Sequence, residues 1–138
     1  MTSSTHPSKE VIQKLIQLIN KNLLTSAVDK AKALIKDYPN TFILWNILGV
    51  ANNGLGQSLE ASKAFKRVIE LNPNFPEGFN NLAIILKEEG KLEQALELSK
   101  KAVLLKPKSY IFHTNIGLIY QQQGFTIKLS SFIASHFY

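Results

Sequence analysis

Residues that recur every 34 positions predict an all-α chain, an α-solenoid of antiparallel helix pairs holding about 3.5 repeats. Pro39, Pro73 and Pro107 keep that spacing, as do Ala27, Ala61 and Ala95, and Gly56, Gly90 and Gly124 with Asn22 one period earlier. Leu48, Leu82 and Ile116 follow the same period, and Gly49 returns at Gly117 two periods on. Apolar residues between these markers fall at helical spacing, as in Phe79, Leu82, Ala83 and Leu86.

Each recurring residue has a physical role. The Gly/Asn position stands between two apolar-periodic segments, where a helix must end and the chain reverse; a left-handed residue does this, glycine at no steric cost and asparagine at little. The proline follows the second segment, in Asp37-Tyr-Pro39, Leu71-Asn-Pro73 and Leu105-Lys-Pro107, and a helix cannot run through it. The alanine lies where two helices of a hairpin approach most closely, so only a methyl fits. Helix pairs are therefore expected at 9–21 with 24–37, 42–55 with 58–71, and 76–89 with 92–105. A fourth pair is expected at 110–123 with a final segment from about 126. The domain reading is a disordered N-terminal tail over 1–7, a repeat array over 8–124 (units 8–41, 42–75, 76–109 and 110–124), and a divergent or truncated final helix over 125–138.

Composition narrows the function classes. With 45% hydrophobic and 19% charged residues the chain reads as an ordinary globular protein, and its 138 residues suffice for one independent core. The absence of cysteine removes disulfides, thiol nucleophiles and thiolate metal sites. Val11 to Leu24 is interrupted by Lys14, Asn20 and Lys21, too polar for a leader and too short for a bilayer span, so a cytoplasmic protein without a membrane partner is expected. The net charge of +6 is concentrated in residues 98–138, which hold five lysines and no acid. A one-signed end can attract an acidic partner or nucleic acid. Aromatic–basic interleaving is missing, however, and a solvated helix face with no nucleic-acid partner is the favoured reading.

No catalytic, cofactor or metal site emerges. His6, His113 and His136 have no carboxylate or histidine at ligand spacing. Glu88-Glu89 and Glu93 with Glu97 read as solvated helix charges, and Gly54-Leu-Gly56 lies at a helix end and is not a phosphate loop.

The second unit, with Trp45, Leu48-Gly49, Gly56, Ala61, Phe65 and Pro73, and the third, with Phe79, Leu82-Ala83, Gly90, Ala95, Ala102 and Pro107, resemble the tetratricopeptide repeat (TPR) family. The first unit keeps only Asn22, Ala27 and Pro39, as a solenoid end does. The fourth starts with Ile116-Gly117, Tyr120 and Gly124, then places Leu129 in the alanine position.

The resemblance implies a right-handed superhelix whose first helices line a concave groove, and a non-enzymatic scaffold that binds a protein, as extended peptide or partner helix. It places Ile43 and Ile111 in that groove with an aliphatic row of Ile16, Val50, Ile84 and Leu118. Polar rows accompany it: Asn46, Asn80 and Thr114 (after Ile12), Asn53, Lys87 and Gln121 (after Ile19), and Asn81 with Asn115 at the edge. Amides both donate and accept, and so suit a peptide main chain; solvation or packing would explain the same residues. Asn81 and Asn115 are similar to the asparagine ladder of O-linked N-acetylglucosamine transferase, which Ile47 interrupts here. Capture of a chaperone's C-terminal carboxylate would need cations where Ile12, Asn46, Ile111 and Asn115 stand. Bacterial TPR proteins that continue into a sulfotransferase, glycosyltransferase or methyltransferase supply the alternative, an N-terminal docking arm. Finally, an end in Phe132, Ile133, Phe137 and Tyr138 predicts self-association through residues 126–138.

Overall fold

The computed structural model describes residues 4–137, and for Phe137 the backbone alone. Residues 1–3 of the expected tail, Tyr138 and the side chain of Phe137 lie outside the described residues. Seven helices and no strand are present among the described residues: α1 (Lys9–Asn20), α2 (Leu24–Asp37), α3 (Phe42–Gly54), α4 (Ser58–Leu71), α5 (Pro76–Glu88), α6 (Leu92–Leu105) and α7 (Tyr110–Phe137). None of the described helices is long and apolar enough to cross a membrane. The first six helices begin and end within a residue of the expected positions. Two compact units are divided between Gly78 and Phe79.

Three hairpin turns close the same way. After α1 the Asn22 amide donates to Ile19 O (2.9 Å) and the Leu23 amide to Leu18 O (2.8 Å). After α3, Gly56 donates to Asn53 O (3.0 Å) and Gln57 to Asn52 O (2.8 Å); after α5, Gly90 donates to Lys87 O (3.0 Å) and Lys91 to Leu86 O (2.8 Å). This paired bonding satisfies the orphan carbonyls of a helix end and requires a left-handed residue. Asn22, Gly56 and Gly90 supply it, with φ of 59°, 76° and 80°.

The proline turns repeat as well. Thr41, Phe75 and Ser109 each donate backbone N–H back to the residue before the proline, Tyr38, Asn72 and Lys106, at 3.2–3.3 Å. Proline thus sits second in a four-residue turn, where its fixed φ is already suitable. Trp45 Nε1–H donates to Pro39 O at 2.8 Å, and two periods later His113 Nε2–H donates to Pro107 O at 2.7 Å. His113 therefore takes over the tryptophan's hydrogen bond. Side-chain caps open the outermost helices: Ser8 Oγ accepts from Val11 N at 3.3 Å and Ser109 Oγ from Phe112 N at 3.4 Å.

In the first unit α3 packs between α2 and α4, and α1 covers α2 and α3. The core gathers Leu15, Ala27, Val28, Ala31, Leu44, Ile47, Leu48, Ala51 and Ala64, with Ile12, Ile19, Ile43 and Trp45 partly buried against it. In the second unit α6 packs on α7, and Phe79, Leu82, Ala83, Ile85, Leu86, Ala95, Ala102, Phe112 and Ile119 are buried. Ala27, Ala61 and Ala95 are all fully buried, as a close helix crossing requires.

One expectation fails. The chain does not reverse at Gly124; α7 runs unbroken from Tyr110 to Phe137. A reversal is stabilised by the returning helix packing on the first, and after Gly124 the crossing position is not held by a small residue. Leu129 stands where alanine is required, and it is exposed. Continuing the helix costs about 1 kcal/mol for an internal glycine and satisfies the backbone without any crossing. The consequence is visible at Gly117. A Cβ on Gly49 would collide with the Phe65 ring of α4, whose Cδ1 and Cζ lie at 2.7 and 2.8 Å, whereas a Cβ on Gly117 meets nothing within 4 Å.

Paired substitutions test this contrast by urea unfolding. Gly49→Ala is expected to lose about 1–3 kcal/mol through overpacking, and Gly117→Ala to gain up to about 1 kcal/mol of helix propensity. Likewise Gly90→Ala is expected to lose about 1–2 kcal/mol at its positive φ, while Gly124→Ala gains. Equal effects within either pair would contradict the unbroken helix. Trp45→Phe and His113→Phe are each expected to lose about 0.5–1.5 kcal/mol, the worth of one hydrogen bond, in the same measurement.

Candidate functional site

A helix places residues three and four apart on one face. On α3 this aligns Ile43, Asn46, Val50 and Asn53. Val50 is exposed, Asn46 and Asn53 are half-buried, and Ile43 is drawn toward the core. Ile16 on α1 is likewise exposed, while Ile12 and Ile19 pack inward. The first unit therefore offers single aliphatic side chains flanked by amides, and not a continuous apolar strip.

The second unit holds a more developed surface. Asn80, Asn81, Ile84 and Lys87 come from α5; Ile111, Thr114, Asn115, Leu118 and Gln121 come from α7. Asn115 Nδ2 donates to Asn80 Oδ1 at 2.6 Å, and Asn80 is only 5% exposed. This amide pair ties α5 to α7, so Asn80 is a structural strut as much as a surface residue. Asn115 thus turns to Asn80 on the neighbouring helix. Thr114 is exposed, and its Oγ1–H donates to Tyr110 O on its own helix at 2.8 Å, which leaves the oxygen able only to accept. Asn81 and Ile84 are half-buried, and Ile111 is exposed.

Lys87, Leu118 and Gln121 line one open concavity of about 670 Å³. Gln122, Gly124, Phe125 and Lys128 complete it. Gln122 Nε2 reaches Lys87 O at 3.5 Å across the gap between α5 and α7. The wall is apolar through Leu118 and Phe125, with ammonium groups of Lys87 and Lys128 and two glutamine amides around it. Such a set offers hydrogen-bond donors, acceptors and an apolar seat, the usual makeup of a recognition surface. Among the described residues no three His, Cys, Asp or Glu side chains come together as a metal site.

Gln122 lies on the expected helix but outside the groove positions that the resemblance implied. Phe125 and Lys128 escaped sequence reasoning because a reversal at Gly124 would have carried them off this face. Their signal is the seven-residue step from Leu118 to Phe125, which has meaning only if the helix continues.

Tetratricopeptide repeat models match residues 43–75 and 64–97. One match starts on the first helix of a hairpin and the other on the second, as expected for a unit repeating without a fixed beginning. The chain is 32% identical over 91 residues to the photosystem I assembly protein Ycf3 of Sorghum bicolor; this covers 56% of the chain and 52% of that relative, so the chain spans about half the relative's length. The Sgt2 TPR domain from Aspergillus fumigatus superposes with a TM-score of 0.83 at 13% identity, covering 93% of this chain and 88% of that one. The first TPR of Spaghetti (RPAP3), solved with an HSP90 peptide SRMEEVD, gives 0.78 at 16% identity over 83% and 90% of the two chains. Repeat matches, structural likeness and the 34-residue recurrence agree: residues 43–97 are tetratricopeptide repeats, and the chain has the fold of tetratricopeptide repeat proteins.

Proposed function

We propose that this chain, like the TPR proteins that act as protein-interaction scaffolds, holds an extended peptide across α5 and α7 of its second unit. The observation that carries the reading is the meeting of Lys87, Leu118 and Gln121, from two helices, in one concavity beside the Asn80–Asn115 amide pair. Leu118 and Phe125 would seat a small apolar side chain, and the amides and ammonium groups would pair with the peptide main chain. Val50 and Asn53 on α3 supply a second surface of the same type in the first unit.

The peptide complex of the RPAP3 domain and the assembly role in the relative's name support a protein ligand. Neutral residues at Ile111 and Asn115 favour recognition along the peptide and not at a terminal carboxylate.

A peptide array followed by fluorescence anisotropy tests the proposal. Leu118→Asp is expected to weaken array-selected peptides by about tenfold or more, a loss of about 1.4 kcal/mol. Amidation of the peptide's C-terminus is expected to change affinity little. Peptides that bind the Leu118→Asp variant as tightly as the unaltered chain would overturn the assignment.

A further inference from the structure

The three proline turns share a backbone but not a surface. Thr41, Phe75 and Ser109 close them with the same hydrogen bond, and His113 braces the third through Pro107 O as Trp45 braces the first through Pro39 O. Side chains at equivalent positions therefore compare at matched geometry. Three residues before the prolines stand Lys36, Glu70 and Leu104, exposed in all three turns. Leu104 and Tyr110, which opens α7 after the third turn, are each 79% exposed, more than any other large apolar residue described. Tyr38 and Asn72 precede the first two prolines where Lys106 precedes the third, and Asn40 and Asn74 follow them where Lys108 follows it. Asp37 and Glu70 set a carboxylate beside the first two turns, whereas no acid follows Glu97. Lys100 and Lys101 lie one helical turn before Leu104 on its side of α6, and Lys101 Nζ is 5.8 Å from the Phe79 ring centroid. Among the described residues no carboxylate is within ion-pair distance of these four lysines.

We propose that the third proline turn is a contact for an anionic lipid surface, with Leu104 and Tyr110 entering the headgroup layer and the lysines set against lipid phosphates and carboxylates. Exposed apolar side chains among cations are the makeup of an interfacial contact. The expectation of no membrane partner rested on the lack of a spanning or leader segment, and a peripheral contact requires neither. Charge complementarity selects an anionic partner, and side-chain type selects lipid. All four cations are lysine, which is depleted in protein interfaces, where arginine grips carboxylates with its planar fork. Diffuse attraction to a charged membrane needs no such fork. Nucleic acid would answer the charge but leave Leu104 without a role, and Tyr110 is a single ring where stacking takes several. The turn lies outside the residues that line the concavity of α5 and α7, so the inference does not rest on the peptide reading.

Flotation of the full chain with vesicles provides the test. Binding is expected to vesicles of equal parts phosphatidylserine and phosphatidylcholine, to fall as salt rises, and to be absent with phosphatidylcholine alone. Lys106→Asn with Lys108→Asn copies the residues that the second turn carries at the same places, Asn72 and Asn74, and so leaves the fold intact. That pair is expected to lower the affinity about tenfold or more, and the charge-neutral Leu104→Ser about threefold or more. Lys32→Asn with Lys36→Asn removes the same charge from exposed positions of α2 and is expected to change it little. Failure to bind anionic vesicles, equal losses from the two lysine pairs, or unchanged binding of Leu104→Ser would overturn the proposal. Retention of single-stranded RNA or polyglutamate through Lys106 and Lys108, with vesicles unbound, would also overturn it and assign the turn to nucleic acid or an acidic chain.

Discussion

The architecture depends on one backbone event, the reversal of a helix through a left-handed residue closed by two hydrogen bonds. Where Asn22, Gly56 and Gly90 make that turn, the last carbonyls of the first helix are satisfied and the second helix returns along it. The returning helix brings an alanine to the crossing, and burial of Ala27, Ala61 and Ala95 lets the backbones approach. Neither part suffices alone. A left-handed turn without a close crossing lacks packing to hold it, and a small residue without the turn has no helix to meet.

The fourth unit shows the two parts separated. Gly117 and Gly124 are both present, but the crossing residue is Leu129, and the helix runs on. Gly117 then faces open space, where the equivalent Gly49 is filled by the Phe65 ring. A glycine specifies permission, not outcome. The loss of one methyl-sized crossing position converts a hairpin into a long rod and exposes apolar residues that a hairpin would have covered.

That rod reshapes the surface of the second unit. By continuing past Gly124, α7 adds Phe125 and Lys128 to the concavity begun by Lys87, Leu118 and Gln121. The same continuation lines up Ile111, Leu118, Phe125 and Phe132 at intervals of seven, all of them exposed. The Asn80–Asn115 bond fixes the spacing of α5 and α7 beneath it. The concavity exists because the returning helix is absent.

Much of this was legible in the residues alone. Local rules with short reach, proline stopping a helix and Gly or Asn reversing it, repeat every 34 positions and determined six helices almost to the residue. The family resemblance rests on the same period, and the scaffold reading came through that resemblance alone. Tertiary structure decided what depends on pairs of residues distant in sequence. Whether Gly124 bends rests on the fit of Leu129 against a neighbouring helix, and whether Asn115 serves a ligand or a strut rests on its distance from Asn80. His113 was legible only as a histidine without ligand partners, and the Pro107 carbonyl at 2.7 Å reveals it as a donor in the tryptophan's place. Local backbone preferences are written along the chain, whereas steric fit and hydrogen-bond partners exist only once the helices have met.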